Sequence, residues 1–156
     1  MMNAFFNSLD ETAIINGCSS LEFIVSSGEE LSFKTCELIA DYLPFSKIIN
    51  YYGPTEASID VSIHKYNPEL DHSVVPIGKP IENTKLYVIN QFLESVVFGV
   101  SGELMLSGTQ LARGYLNQPG LTAAKFIPNP FHSGKYSRMY RSGDQVYINE
   151  EENLIY

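Results

Sequence analysis

No apolar stretch in this 156-residue chain approaches the roughly 20 residues needed to cross a bilayer. No Lys or Arg precedes Lys34, whereas Asp10 and Glu11 do, which is the wrong charge for the basic start of a secretory leader. Both absences point to a cytoplasmic protein. Basic residues are scarce throughout: 10 Lys and Arg stand against 18 Asp and Glu, for a formal net charge of −8 and a pI near 4.8. Such a balance argues against nucleic-acid and anionic-membrane partners, which call for a surplus of cations. There are only two cysteines, Cys18 and Cys36, in different predicted elements and without a metal-type spacing, and no Asn-x-Ser/Thr sequon occurs. They read as reduced, half-buried packing residues. His64, His72 and His132 are scattered, so no zinc site is expected within the chain and each reads as an ordinary surface or edge histidine. Also missing are a Walker loop, a Gly-x-Gly-x-x-Gly turn after a strand and a Gly-x-Ser-x-Gly elbow.

What is present suffices for a core, since 44% of residues are hydrophobic and 12% aromatic. Ser8-Leu9-Asp10-Glu11 has capping-box form and predicts a short helix, and Leu21–Val25 predicts a strand ended by Ser26-Ser27-Gly28. From Leu31 the apolar positions follow one helical face until Pro44, after which Lys47–Tyr52 predicts a second buried strand. Strand, helix and strand with a crossover of this length imply a parallel pair. Ile59–Ile63 alternates like a further strand. Beyond residue 66 short β runs at Leu86–Ile89, Glu103–Leu106 and Gln145–Ile148 alternate with turn residues, with one helix expected at Thr122–Phe126. The expected fold class is α/β: a partial parallel sheet with helices over residues 1–66, then a mostly β, barrel-like portion over 67–156. The strand-like Asn153–Tyr156 at the chain's end suggests a piece of a larger fold.

Ligands of open α/β sheets bind beyond strand ends, and the least ordinary chemistry lies there. Tyr51-Tyr52-Gly53-Pro54-Thr55-Glu56 puts an aromatic face, a constrained turn, a hydroxyl and a carboxylate within six residues, although as bare sequence it is also a plain strand end and polar turn. With Asn50 it resembles the Asn-x-Tyr-Gly-Pro-Thr-Glu motif of the amino-acid adenylation domains of nonribosomal peptide synthetases, members of the adenylate-forming, AMP-binding superfamily. Ser27-Gly28-Glu29-Glu30-Leu31 is similar to that family's Gly-Gly-Glu-x-Leu turn, with Ser27 in place of the first glycine. Gly102-Glu103-Leu104 followed by Leu111–Pro119 and Leu121-Thr122 resembles a second core motif, and Tyr140-Arg141-Ser142-Gly143-Asp144 a third, with Ser142 where Thr is commoner. The motifs occur in the family's order. The proline of Tyr-Gly-Pro-Thr-Glu favours amino-acid activation over a related acyl-CoA synthetase-like ligase.

The resemblance implies a role for each residue. Tyr52 would stack on adenine, and the turn of Gly28, Glu29 and Glu30 would approach the adenine edge through its backbone, where a side chain would intrude. Asn50 and Gly53 belong to the same nucleotide-facing set. Asp144 would accept hydrogen bonds from the ribose hydroxyls, a task for a carboxylate without donors. Thr55 and Glu56 would be the catalytic pair, meeting the α-phosphate and, at Glu56, Mg²⁺. Val25, Ser27, Tyr51, Ile59 and Asp60 would line the amino-acid pocket, whose polar members favour serine or another small polar substrate over an aliphatic one. Arg113 would be structural, tying the barrel to the sheet.

The implied cofactors are ATP or AMP with Mg²⁺, and a phosphopantetheine carrier as acyl acceptor. The implied partners are the amino acid, the remaining parts of a synthetase and a carrier domain. The family's phosphate loop, its amine-gripping aspartate and its catalytic lysine are not among these 156 residues, so the chain alone is expected to be catalytically silent. The competing reading is a non-catalytic remnant that binds nucleotide or a protein partner.

Overall fold

The structure, a computed structural model, describes residues 2–156. Two short helices open the chain, α1 (Met2–Ser8) and α2 (Glu11–Cys18). The expected cap at Ser8 is instead at Asp10, whose carboxylate accepts from the Ala13 amide at 2.7 Å, while the Ser8 hydroxyl turns back to the Phe5 carbonyl. Then follow β1 (Phe23–Ser26), α3 (Phe33–Tyr42), capped by Ser32, and β2 (Lys47–Tyr52). β1 and β2 pair in parallel from Phe23↔Lys47 to Ser26↔Asn50, as the strand, helix and strand order requires.

β3 (Ser62–Lys65) returns antiparallel along β2, and β4 (Lys79–Pro80) completes a sheet of order β1-β2-β3-β4. The strand expected from Ile59 thus starts three residues later. Pairing Tyr52 with Ser62 requires a reversal in between, and Ile59 sits in that reversal with φ of +64°. The first sheet also reaches past residue 66 to Lys79–Pro80. Its helices cover a core that includes Phe6, Ile14, Ile24, Ile39, Ile48 and Val75.

Cys18 and Cys36 are free and belong to this core, so they are buried rather than half-buried. Burial, with the Asp71 charge adding to it, pushes the Cys36 thiol up to about 12, which makes it inert. His64 corrects another expectation. Alternation along β3 turns it inward with Ser62, and its Nε2 lies 2.8 Å from Asp71 Oδ2, which also accepts from the Asn67 amide. His72 and His132 are exposed.

The second sheet is antiparallel: β5 (Thr84–Ile89), β6 (Gly102–Gly108), β7 (Phe126–Pro128) and β8 (Arg138–Ile148) run in the order β5-β6-β8-β7, and β9 (Leu154–Ile155) pairs with β8. Helix α4 (Pro119–Lys125) begins earlier than Thr122 because Pro119 suits a first helical turn, and Phe126 belongs to β7. Ala57, Val61 and Ile77 from the first part share a core with Leu104, Leu106 and Val146. Backbone bonds between Gly78 and Leu154 join the two sheets.

Among the described residues β1 is an edge of its sheet, with Phe23 51% and Val25 53% exposed. An edge with apolar side chains recruits other strands, so the chain is expected to form oligomers in light scattering. A cleanly monomeric species with a cooperative melt would contradict this.

Candidate functional site

Segments distant in sequence meet at the ends of β1 and β2. The turn after β1 lies there because Gly28 adopts φ of +78°, a conformation natural to glycine. A Cβ at Gly28 would meet no protein atom, so its backbone stays open to the hollow beside it. That hollow, about 280 Å³, is lined by Gly28–Leu31, by Asn50–Gly53, by Ser73–Val75 and by Tyr156. Gly28, Glu29, Glu30, Asn50, Tyr52 and Gly53 are therefore gathered around one cavity. Asn50 is buried and its Nδ2 donates to the Pro76 carbonyl at 2.9 Å, tying the far wall to β2. The Glu29 carboxylate accepts from the Met2 amide at 2.8 Å.

Asp144, on β8, does not line the cavity but contacts two residues that do, Tyr52 and Tyr156. The Tyr52 hydroxyl donates to Asp144 Oδ2, and the Tyr156 hydroxyl stands 3.5 Å from Oδ1. Burial first, then the Asp144 carboxylate, pushes the Tyr52 phenol well above its ordinary range, so it remains a neutral donor. Asp144 is held in turn by Ser142, whose hydroxyl accepts from the Asp144 amide at 3.0 Å and donates to the Leu104 carbonyl at 2.7 Å. Serine thus meets the bonding needs of the position where threonine is commoner. The Arg141 guanidinium grips the Glu103 carboxylate with contacts of 2.6 and 3.3 Å, so the second and third motifs pair across β6 and β8.

Thr55 and Glu56 occupy the turn after Pro54 and do not line the 280 Å³ cavity. Thr55 is exposed, whereas Glu56 is half-buried and its Oε1 accepts from the Tyr115 hydroxyl at 2.5 Å. Burial opposes the charge of Glu56, but the Tyr115 hydroxyl, its own amide, Tyr140 and nearby Lys125 outweigh it and keep the pKa below the usual value. Among the described residues no group of three or more His, Cys, Asp or Glu could hold a metal.

The five residues expected around the amino acid are spread further. Val25 and Ser27 line a wider hollow with Met2 and Phe5, and Ser27 Oγ donates to Asp60 Oδ1 at 2.6 Å. Tyr51 faces the 280 Å³ cavity instead, and Ile59 is 83% exposed. Arg113 is exposed; its segment is tied to the first part by backbone, the Ala112 amide donating to the Glu56 carbonyl at 2.7 Å. Arg138 Nη2, donating to the Arg113 and Ala112 carbonyls at 3.1 and 3.5 Å, ties it only to β8. Sequence reasoning missed Tyr156 and the Ser73–Val75 wall, because neither carries a local signal. It assigned no task to Tyr115, although the motif around it was visible.

The profile of the AMP-binding enzyme family matches residues 1–116. The chain is 43% identical to Vanchrobactin synthetase VabF of Vibrio anguillarum, in an alignment that takes in 94% of the chain and 5% of that protein. Among solved structures it is similar to PA1221, a nonribosomal peptide synthetase protein containing adenylation and PCP domains. There the TM-score is 0.87 at 26% identity, covering 99% of this chain and 31% of that one. It also resembles the Vibrio cholerae adenylation domain AlmE in complex with glycyl-adenosine-5'-phosphate, with a TM-score of 0.82 and 33% identity over 99% of this chain and 28% of that one. The chain therefore spans a small part of each of these relatives. No helix among the described residues is long and apolar enough to cross a membrane. Motifs, fold and relatives agree that the chain belongs to the AMP-binding enzyme family, as part of an adenylation domain of the nonribosomal peptide synthetase kind.

Proposed function

We propose that this chain supplies the nucleotide-facing part of an amino-acid-activating enzyme. In that reaction the amino-acid carboxylate attacks the α-phosphate of ATP, giving an aminoacyl adenylate and pyrophosphate, and the acyl group then passes to the thiol of a phosphopantetheine carrier. The observation that carries the reading is the meeting of Tyr52 and Asp144, 92 positions apart, beside a cavity bounded by the Gly28 turn. Tyr52 offers a ring for adenine and the Gly28–Glu30 backbone an edge for its polar atoms. Asp144 has acceptor capacity beyond its bond to Tyr52 for the ribose hydroxyls. Thr55, exposed on the next turn, is a donor for the α-phosphate.

Glu56 fits Mg²⁺ of the kind that binds through one or two carboxylates and takes its other ligands from substrate phosphates and water. A single charged, hydrogen-bonded carboxylate, with no cluster of further metal ligands among the described residues, matches that donor set. When bound, the cation neutralises charge on the transferring phosphate. Titration calorimetry of the chain with ATP is expected to show weak, saturable binding without amino-acid-dependent pyrophosphate exchange. Nanomolar affinity, or exchange by the chain alone, would overturn this division of labour.

The Ser27–Asp60 bond supports a small hydroxylated amino acid. Ser27 satisfies one carboxylate oxygen and leaves Asp60 able to accept another donor, which a serine hydroxyl supplies and a leucine side chain does not. Joined to the remaining segments of a related adenylation domain, the chain is expected to support pyrophosphate exchange with serine at least about tenfold above leucine. A preference for leucine, valine or phenylalanine would sink the assignment.

A further inference from the structure

The segment from Leu111 to Pro119 is a motif without an assigned task, and it lies on the turn that carries Glu56. Leu111 bridges Ala57, the Ala112 amide donates to the Glu56 carbonyl at 2.7 Å, and the Ser58 amide donates to the Gln110 carbonyl at 3.0 Å. The Tyr115 hydroxyl then reaches Glu56 Oε1 at 2.5 Å.

Tyr115 is itself held from several sides. Its amide donates to Thr122 Oγ1 at 2.9 Å, and its ring meets Phe126 edge-on with centroids 5.7 Å apart. Gly114, at φ of +149°, allows the approach, since a Cβ there would lie 2.4 Å from Thr122 Cγ2. The Tyr140 hydroxyl stands 3.5 Å behind that of Tyr115.

We propose that Tyr115 is a positioning residue for Glu56: its hydroxyl grips one carboxylate oxygen and sets the plane in which the carboxylate meets the cation of a metal–nucleotide complex. This rests on the reading of Glu56 as the metal-facing carboxylate. A glutamate on a turn otherwise samples many rotamers, and freezing it at the moment of binding weakens the contact. A charge-assisted bond from a rigid phenol removes that freedom beforehand. The bond occupies one oxygen and leaves the carboxylate further acceptor capacity.

The test uses the 156-residue chain with ¹³C-labelled glutamate, and Mn(II)–ATP as the probe. In Tyr115→Phe the Glu56 methylene carbons are expected to gain fast motion in relaxation measurements. Affinity for Mn(II)–ATP falls about three- to tenfold, while affinity for ATP in the presence of chelator is unchanged. Glu56 remaining as still as in the unaltered chain would overturn the proposal whether or not nucleotide binds. An equal loss with and without metal would also overturn it, because loosened packing acts on both. Thr122→Val keeps the phenol but frees the Tyr115 amide, so it should also mobilise Glu56 and serves if Tyr115→Phe folds poorly; an unmoved Glu56 there counts against the proposal. If Glu56→Gln leaves Mn(II)–ATP affinity intact, the metal reading of Glu56 falls. If Glu56→Gln weakens it and Tyr115→Phe does not, Tyr115's role alone falls.

Discussion

Gly53→Ala is expected to cost the chain about 3 kcal/mol or more, a large share of the roughly 5–15 kcal/mol that holds a domain folded. A Cβ at Gly53 would stand 2.1 Å from the Ile59 carbonyl oxygen, 2.6 Å from Asp60 Cα and 2.9 Å from the Ile59 carbonyl carbon. All three are backbone atoms, so no side-chain rotation relieves the clash and the whole reversal between β2 and β3 must move. That reversal is pinned elsewhere: Ala57 and Val61 are 0% and 1% exposed, and Ala57 bridges Leu111. Chemical denaturation should show a fall in midpoint together with loss of nucleotide binding, because Tyr52 and Glu56 flank the displaced turn. Gly28→Ala is the informative contrast. There the added Cβ meets nothing, and only the positive φ opposes it, at a cost of about 1–2 kcal/mol. Equal midpoints for the unaltered chain and Gly53→Ala would refute the argument from close approach.

The second large effect is on nucleotide affinity. Tyr52→Ala removes the ring proposed to carry the base and is expected to weaken AMP binding by roughly 1–3 kcal/mol, about five- to 150-fold. Tyr52→Phe keeps the ring and loses only the hydroxyl bonded to Asp144, so most of the affinity should remain. Asp144→Ala should weaken AMP by about tenfold or more, since hydrogen bonds to a charged acceptor are among the stronger ones. It should also erase any preference for AMP over 2′-deoxy-AMP, the mark of a carboxylate that reads ribose. Calorimetric titration with the two nucleotides checks both outcomes. Unchanged affinity in Tyr52→Ala would remove the adenine assignment, and a retained ribose preference in Asp144→Ala would remove that of the ribose.

The sequence by itself determined the elements whose causes are local. Lys47–Tyr52 was legible to the residue because a β-rich apolar run is bounded by Ser46 and by Gly53-Pro54. The parallel pairing of β1 with β2 followed from the helix between them. The motifs that point to adenylate chemistry are likewise short runs along the chain, readable without coordinates. Even some local readings failed where two neighbours compete, as when Asp10 rather than Ser8 took the helix cap.

Only the tertiary structure decided what lies across from what. It joined Tyr52 to Asp144 and brought Tyr156 and the Ser73–Val75 wall to the cavity beside them. It also linked Ser27 to Asp60 and set Tyr115 on Glu56. Each of these contacts depends on the reversal between β2 and β3 or on the closure of the second sheet against the first. No periodicity or capping pattern encodes such a distance, because it is set by how two sheets pack rather than by any one stretch of chain.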